Sequence, residues 1–327
     1  AIVAGYEVCC RLGNALDPTS HYARGFHPTA TAGTYGAAAA AAKLFGLTKE
    51  QIISAFGVSG SQAAGSLQFL VNGSWNKRYQ VGAAAMNGVI AATLARDGFI
   101  GSSESVEGKH GLLVGYTDDA HPDKAVADLG KVYETMKIGV KPYPSCRYTH
   151  AAIDALLAMR RAHNLTPDQI KRVEIGLHRN GITLTGDAPT KRHPTSIVGG
   201  QFSMFFTGAL ALDQGRFGWD DYARLGDKAI NALADKIDVV QDDRLEVGRT
   251  HPFGARVTVT TDDGVHEELY PDPSGEPASF PDSAAMRQKF LTLARPVLDG
   301  QAEKFADAIL SLETYDRAAS AIQLGRA

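Results

Sequence analysis

Over about residues 1–135 the apolar positions recur three and four residues apart, the spacing of a helix face. Ile2, Val3, Tyr6, Val8-Cys9-Cys10 and Leu12 share one such face. This run opens without Met and without a helix start signal, so it reads as the middle of a helix, and further chain is expected upstream. Ala30 to Leu44 is a small-residue helix with six consecutive alanines, Ala37 to Ala42, suited to close packing on several sides. Thr48-Lys49-Glu50-Gln51 has the form of a capping box for a helix through Phe56. Gly82 to Asp97 predicts another buried helix, stopped by Gly98. Short connections between such helices predict an all-α bundle.

The pattern changes near Lys137. Lys141-Pro-Tyr-Pro-Ser-Cys146 is too rich in proline for a helix interior. A helix follows from about Thr149 to His163, then a turn at Thr166-Pro-Asp-Gln, then the strand-like alternation of Lys171 to His178. Pro194 to Asp213 reads as helical and buried. Ala255 to Thr261 alternates again, Asp262-Asp263-Gly264 signals a hairpin, and Val265 to Tyr270 is the return strand. Asp282 to Ala294 and Ala302 to Leu312 are amphipathic helices once more. The pattern predicts a mainly α protein with an α+β part. A helical domain of discontinuous sequence, 1–136 and 281–327, carries an inserted α+β domain, 137–280. No internal repeat is evident.

Composition narrows the function classes. The 327 residues are 44% apolar, enough for a sizeable core, and the net charge of −3 argues against nucleic acid as a partner. Three cysteines, two of them adjacent, suit neither a disulfide framework nor a zinc or iron–sulfur site. No apolar stretch reaches the roughly 18 residues of a membrane helix, and no signal-peptide pattern is present. A cytoplasmic setting is expected, with no membrane partner. The glycine-rich stretches lack the dinucleotide and phosphate-loop patterns, and neither HExxH nor a carboxylate cluster suggests a metal, so no cofactor is expected.

Three segments could carry chemistry. In Arg24-Gly-Phe-His27-Pro28, Pro28 holds His27 extended at the start of a helix, where backbone N–H groups favour an anion and a His near its working pKa suits acid–base work. In Trp75-Asn-Lys77-Arg78-Tyr, two cations precede a buried helix, and placing cations at an N-terminus is unfavourable unless an anion joins them. Lys141-Pro-Tyr143-Pro-Ser-Cys146-Arg147-Tyr-Thr-His150 gathers cations, tyrosines, a thiol and a His on a stiff approach to a helix. Read singly, each segment fits a plainer role better or as well: a capping or packing His, a solvated pair of cations, an interdomain linker. Cys146 has the chemistry of a nucleophile but no paired catalytic pattern beside it. His110, His121, Lys191-Arg192-His193 and Arg249-Thr-His251 read as polar surface, the last two also as basic clusters able to hold a carboxylate.

Taken in order, the segments resemble the MmgE/PrpD family of small-acid lyases, which includes 2-methylcitrate dehydratase, cis-aconitate decarboxylase and iminodisuccinate epimerase. The resemblance runs over nearly the whole chain. It rests on Gly5-Tyr-Glu-Val, Phe26-His27-Pro28 with Gly33-Thr-Tyr-Gly-Ala-Ala-Ala, the Lys77 loop with Gly82-Ala-Ala-Ala, and Lys141-Pro-Tyr-Pro-Ser-Cys with His150. It implies a helical domain, an α+β lid, a homodimer, and an active site between the domains that uses no metal. Through it His27, Lys77 and Lys141 become the expected catalytic groups, with Arg78, Tyr143, Cys146 and His150 beside the substrate. Two departures stand out. The family's Asp-Asp and His-Pro-Gly region belongs upstream of Ala1. A Ser-x-x-Tyr segment of some members reads Ser203-Met-Phe-Phe206 here, without the hydroxyl, which weighs against cis-aconitate decarboxylation.

The chemistry these residues suggest is proton abstraction next to a carboxylate by His27, with Lys77 and Lys141 stabilising the enediolate, followed by loss of a β-leaving group. A dehydratase acting on a small di- or tricarboxylic acid is the leading reading. Epimerisation or decarboxylation on the same site, a non-catalytic family member, and a peptide-binding helical scaffold are the rivals.

Overall fold

A computed structural model of the chain describes residues 1–72, 74–187, 189–246 and 253–326. It divides into two compact units, 1–138 with 143–273, and 139–142 with 274–327. Arg249-Thr-His251 lies outside the described residues.

The first unit begins with helices α1 (Ile2–Ala15), α2 (Pro18–Ala23), α3 (Pro28–Phe45), α4 (Lys49–Gln62), α5 (Phe69–Asn72), α6 (Asn76–Arg96), α7 (Leu112–Gly115) and α8 (Pro122–Val126). The alanines explain how α1, α3 and α6 pack. Ala30, Ala32, Ala38, Ala41 and Ala42 of α3 are buried, as are Ala84, Ala91, Ala92 and Ala95 of α6. The approach is so close that a Cβ on Gly88 would lie 2.4 Å from the Ala37 Cβ and 2.5 Å from the Ala38 backbone N. Tyr35, wholly buried, fills the space beside this seam and donates from its hydroxyl to the Ser105 carbonyl at 3.2 Å. The capping box forms as expected, Gln51 N–H donating to Thr48 Oγ1 and Thr48 N–H to Gln51 Oε1. A buried ion pair, Arg11 to Glu7 at 3.1 Å, fastens α1 to the following loops. Arg11 donates to the carbonyls of Ala127 and Val132, and the Thr135 amide donates to Glu7. Burial pushes the Glu7 carboxyl up, but these donors outweigh it and bring the pKa down to about 2.

The same unit continues with α9 (His150–Ala162), β1 (Ile170–Leu177), α10 (Arg179–Thr185), α11 (Ile197–Gln201), α12 (Met204–Gln214), α13 (Lys228–Ala234), β2 (Ile237–Gln241), β3 (Ala255–Thr261) and β4 (Val265–Tyr270). The sheet order is β2-β1-β3-β4. β1 runs parallel to β2, with Val173 beside Ile237, and antiparallel to β3, with Val173 beside Val259. The period of two decides which face is buried. Val173, Ile175 and Leu177 of β1 and Ala255, Val257 and Val259 of β3 turn inward, fully buried against Ile153, Leu156, Phe206 and Leu210 of α9 and α12. The opposite face carries ions: Arg256 reaches Glu174 and Asp242, each at 2.7 Å, and Arg244 reaches Asp242 at 2.8 Å.

The second unit holds α14 (Ser283–Leu298), α15 (Gln301–Leu310) and α16 (Ala318–Ile322). Phe290 packs edge-on to Phe305, and Arg287–Asp307 and Arg295–Glu303 pair at 2.6 Å each. No helix among the described residues is long and apolar enough to cross a membrane.

The mainly α architecture with an α+β part is the one the pattern predicted. Four details differ. α6 starts at Asn76 rather than Gly82. Its expected burial is one-sided, since Val81, Met86, Val89 and Ile90 are exposed. The expected helix of Pro194 to Asp213 is two, broken at Phe202, because the Ser203 hydroxyl caps α12 by accepting from Phe206 N–H. Strand β2 was missed: its five residues are too few to show alternation.

Candidate active site

Three backbone features place His27. Leu67 N–H donates to the Gly25 carbonyl at 2.8 Å, Phe26 and Ser66 form an antiparallel bridge, and His27 N–H donates to the Gly65 carbonyl at 2.9 Å. Segment 25–27 is therefore zipped to 65–67. Gly65 permits this: a Cβ there would lie 2.5 Å from the Ala30 Cβ. Pro28, first residue of α3, leaves His27 extended at φ −96°, ψ 109°. The His27 ring is 7% exposed and meets the Phe69 ring edge-on at 5.9 Å. Its Nδ1 lies 3.0 Å from Gln80 Oε1, and Gln80 Nε2 donates to the Ser66 carbonyl at 2.8 Å. Burial lowers the His27 pKa to about 4; the Gln80 contact opposes the shift, while Lys77 and His21 add to it. His27 is thus neutral at pH 7.

Lys77 and Arg78 sit in the first turn of α6, not in a loop before it. Lys77 Nζ lies 4.4 Å over the Phe202 ring, a cation–π distance. Phe202 in turn meets Phe69 edge-on at 6.3 Å. His27, Phe69, Phe202 and Lys77 form one connected row, and Cys146, 7% exposed, belongs to the same apolar cluster. Arg78 is exposed and flanked by Trp75 and Trp219 at 5.3 and 5.9 Å.

The proline-rich segment divides between the units. Lys141, exposed, belongs to the second, where its carbonyl accepts from Lys289 Nζ. Tyr143 and His150 belong to the first. The Tyr143 hydroxyl donates to Asp154 Oδ1 at 2.6 Å, and its ring packs edge-on against His150 at 5.2 Å. His150 is wholly buried, with Nδ1 3.2 Å from Arg147 and Nε2 3.4 Å from the Ser145 carbonyl. These contacts anchor α9, and His150 has no solvent-facing edge.

A cleft of the first unit, about 700 Å³, is lined by Cys10, Tyr22, Thr29, Tyr148, His178 and Glu246 among others. The His27 ring is not among its walls, although Pro28 and Thr29 are. His178 Nδ1 accepts from Asn180 N–H at 3.1 Å, which leaves Nε2 to face Glu246 at 3.2 Å. Sequence reasoning passed over this pair, since His178 merely ends a strand and Glu246 lies 68 residues on. It passed over Gln80 as well, a neutral residue with no motif.

The basic cluster before α11 is exposed at His193, and its side chains already have partners. Lys191 pairs with Asp187, Arg192 donates to the Ala234 and Ile237 carbonyls, and His193 contacts Asp235. His110 and His121 lie at the surface or half-buried, as read. Among the described residues, Asp17, Asp119 and His121 are the one group whose ligand atoms lie within 4.8 Å of one another. Asp17 is already engaged as the cap of α2.

Comparison with known sequences then assigns the chain. Residues 1–125 match the MmgE/PrpD N-terminal domain and residues 143–314 the MmgE/PrpD C-terminal domain. The chain belongs to the MmgE/PrpD family. It is 31% identical over 330 residues to the cis-aconitate decarboxylase-like protein oryM of Aspergillus oryzae, covering 96% of this chain and 68% of that protein. It is 26% identical over 333 residues to cis-aconitate decarboxylase of Aspergillus terreus, covering 96% and 67%. The human cis-aconitate decarboxylase is 28% identical over 181 residues, covering 53% and 37%. The last two bear the name of a carboxy-lyase, and the kinship supports an enzyme of the lyase kind. Phe206 of the Ser203-Met-Phe-Phe206 segment is 1% exposed and stacks on Tyr222 at 6.0 Å. At this position the chain offers a core ring and no hydroxyl.

Proposed function

We propose that the protein is a lyase of small di- or tricarboxylic acids that works by proton transfer at the carbon beside a carboxylate. One observation carries the reading: a buried imidazole, neutral at pH 7, shares a row with the Lys77 ammonium in a chain of this family. A neutral His can take a proton, and such catalysis contributes on the order of 10²–10⁴-fold. Lys77, at the positive end of α6, is suited to a substrate carboxylate and to the enediolate that forms from it. The family resemblance adds Arg78, Tyr143 and Cys146 as substrate neighbours and a homodimer, and the composition adds a cytoplasmic setting.

Two fates of the substrate are compatible with this chemistry. In dehydration, the α C–H pair becomes the new double bond as the β C–O bond breaks, and the hydroxide leaves as water with the proton that His27 took up. In decarboxylation, the C–C bond to a carboxyl breaks, its electron pair shifts the existing double bond, and the far carbon takes a proton from the His27 imidazolium. The printed names of the relatives favour the second. The unprotonated resting state of His27 favours the first.

The test is a panel of hydroxy- and unsaturated tricarboxylic acids, with carbon dioxide release and alkene formation followed separately. We expect turnover of at least one acid and a loss of 100-fold or more in His27→Ala and in Lys77→Met. Full turnover in both variants would remove the site.

A further inference from the structure

We propose that Gln80 is the positioning residue that holds His27 in its Nδ1–H tautomer, so that Nε2 is the atom that exchanges a proton with the substrate. This deepens the proposed role of His27 and rests on it.

The argument starts from an atom whose role is fixed. The Ser66 backbone carbonyl can only accept a hydrogen bond. The Gln80 side-chain atom 2.8 Å from it must therefore be the NH₂ group. That orientation turns Gln80 Oε1, an acceptor only, toward His27 Nδ1 at 3.0 Å. The proton of a neutral imidazole then belongs on Nδ1, and the Nε2 lone pair is left bare. The clamp has little room to drift. Ser66 belongs to the strand-like segment that also takes the His27 backbone N–H, through Gly65. A Cβ at Gly65 would approach Gln80 Oε1 to 3.3 Å, so the loop leaves space for the amide and little else. Gln80 rides on α6, whose seam with α3 is set by Gly88 against Ala37.

An amide also differs from a carboxylate in what it does to charge. A carboxylate against Nδ1 would stabilise the imidazolium, whereas an amide oxygen orients the ring with far less pull on the proton. The charged or titratable groups that bear on the ring are Lys77 from α6 and His21 from α2, and α5 presents the apolar Phe69. His21 is itself fully buried between the Tyr116 carbonyl and Thr31 Oγ1. The surroundings thus hold the ring neutral, and Gln80 selects which nitrogen is bare.

Long-range proton–nitrogen NMR on the histidine-labelled protein reads the tautomer directly. We expect His27 with a protonated Nδ1 and an unprotonated Nε2. In Gln80→Glu, the tautomer should persist while the His27 titration midpoint and the acid limb of kcat/KM rise together by one unit or more. In Gln80→Leu, the two tautomers should mix, with kcat falling by the fraction of His27 that loses the Nδ1–H form and KM nearly unchanged. A wild-type His27 protonated on Nε2 overturns the proposal without any variant. So does Gln80→Glu that leaves both the midpoint and the acid limb in place, since a merely structural Gln80 predicts that outcome. Undiminished turnover in His27→Ala, with the expected tautomer still seen, sinks the catalytic reading of His27 and leaves the tautomer assignment standing.

Discussion

Burying a neutral His makes stability depend on pH, and here the sign and size follow from the structure. The His27 pKa falls from an ordinary 6.5 to about 4. Above pH 6.5 the folded and unfolded chains both hold it neutral, and it adds no pH dependence. Between pH 6.5 and 4 the unfolded chain binds a proton that the folded chain refuses, so stability falls as pH falls. One pKa unit is worth about 1.4 kcal/mol, which gives a loss of about 2 kcal/mol at pH 5 and about 3 kcal/mol once the pH is below 4. The perturbation is His27→Gln, which keeps a polar side chain and abolishes the titration. Urea denaturation of both proteins at pH 7.5 and at pH 5 closes a cycle in which the carboxylates and the remaining histidines, His21 included, are common to both. The wild type should lose about 2 kcal/mol more than the variant between these two pH values. Equal losses would refute the burial of a neutral imidazole at this position.

Two further outcomes test the packing around the site. Gly88→Val places carbon where only 2.4 Å separates a Cβ from the Ala37 Cβ, so α3 and α6 must part. We expect a loss of about 3 kcal/mol or more by chemical denaturation, against a small change for an exposed control such as Gly82→Ala. Arg256→Ala leaves Asp242 with Arg244 alone, and should cost about 2 kcal/mol, between the values for exposed and buried pairs. The Asp242 carboxyl is held well below the ordinary range by Arg244 and Arg256, so in the wild type its contribution is present above pH 4 and fades as the pH falls. The variant should show a weaker acid dependence of its midpoint urea concentration.

Some of this molecule was legible from its sequence because the physics involved is local. Pro28 after His27 fixes an extended residue and then a helix, and the structure has both. The Thr48 box and the Asp-Asp-Gly hairpin depend on neighbours within a few positions, and both formed. Features that depend on distant partners were not legible. Gln80 matters because a loop 14 residues away offers one carbonyl, and no spacing rule reports that. The start of α6 was misplaced because Asn76 and Tyr79 are poor helix formers, yet the helix begins at Asn76 with Trp75 at its N-cap. Lys191-Arg192-His193 read as polar surface able to hold a carboxylate, and the partners of Arg192 and His193, namely Ala234, Ile237 and Asp235, were hidden some 40 residues on. Tyr143 and Lys141 are adjacent in motif but belong to different compact units, a division the chain's pattern does not mark.

Gln80 and Lys77 are three residues apart on α6, and His27 is the N-cap residue of α3. Because α3 and α6 meet through alanine and glycine, there are few side-chain rotamers at the seam to absorb a shift. The orienting amide, the cation and the imidazole therefore travel as one rigid cassette. Substitutions on the facing wall at Phe202 and its neighbours should alter what the row accepts without moving the proton chemistry. Directed evolution aimed at a new acid should find its productive substitutions on that wall, and should find the α3–α6 seam nearly silent to selection.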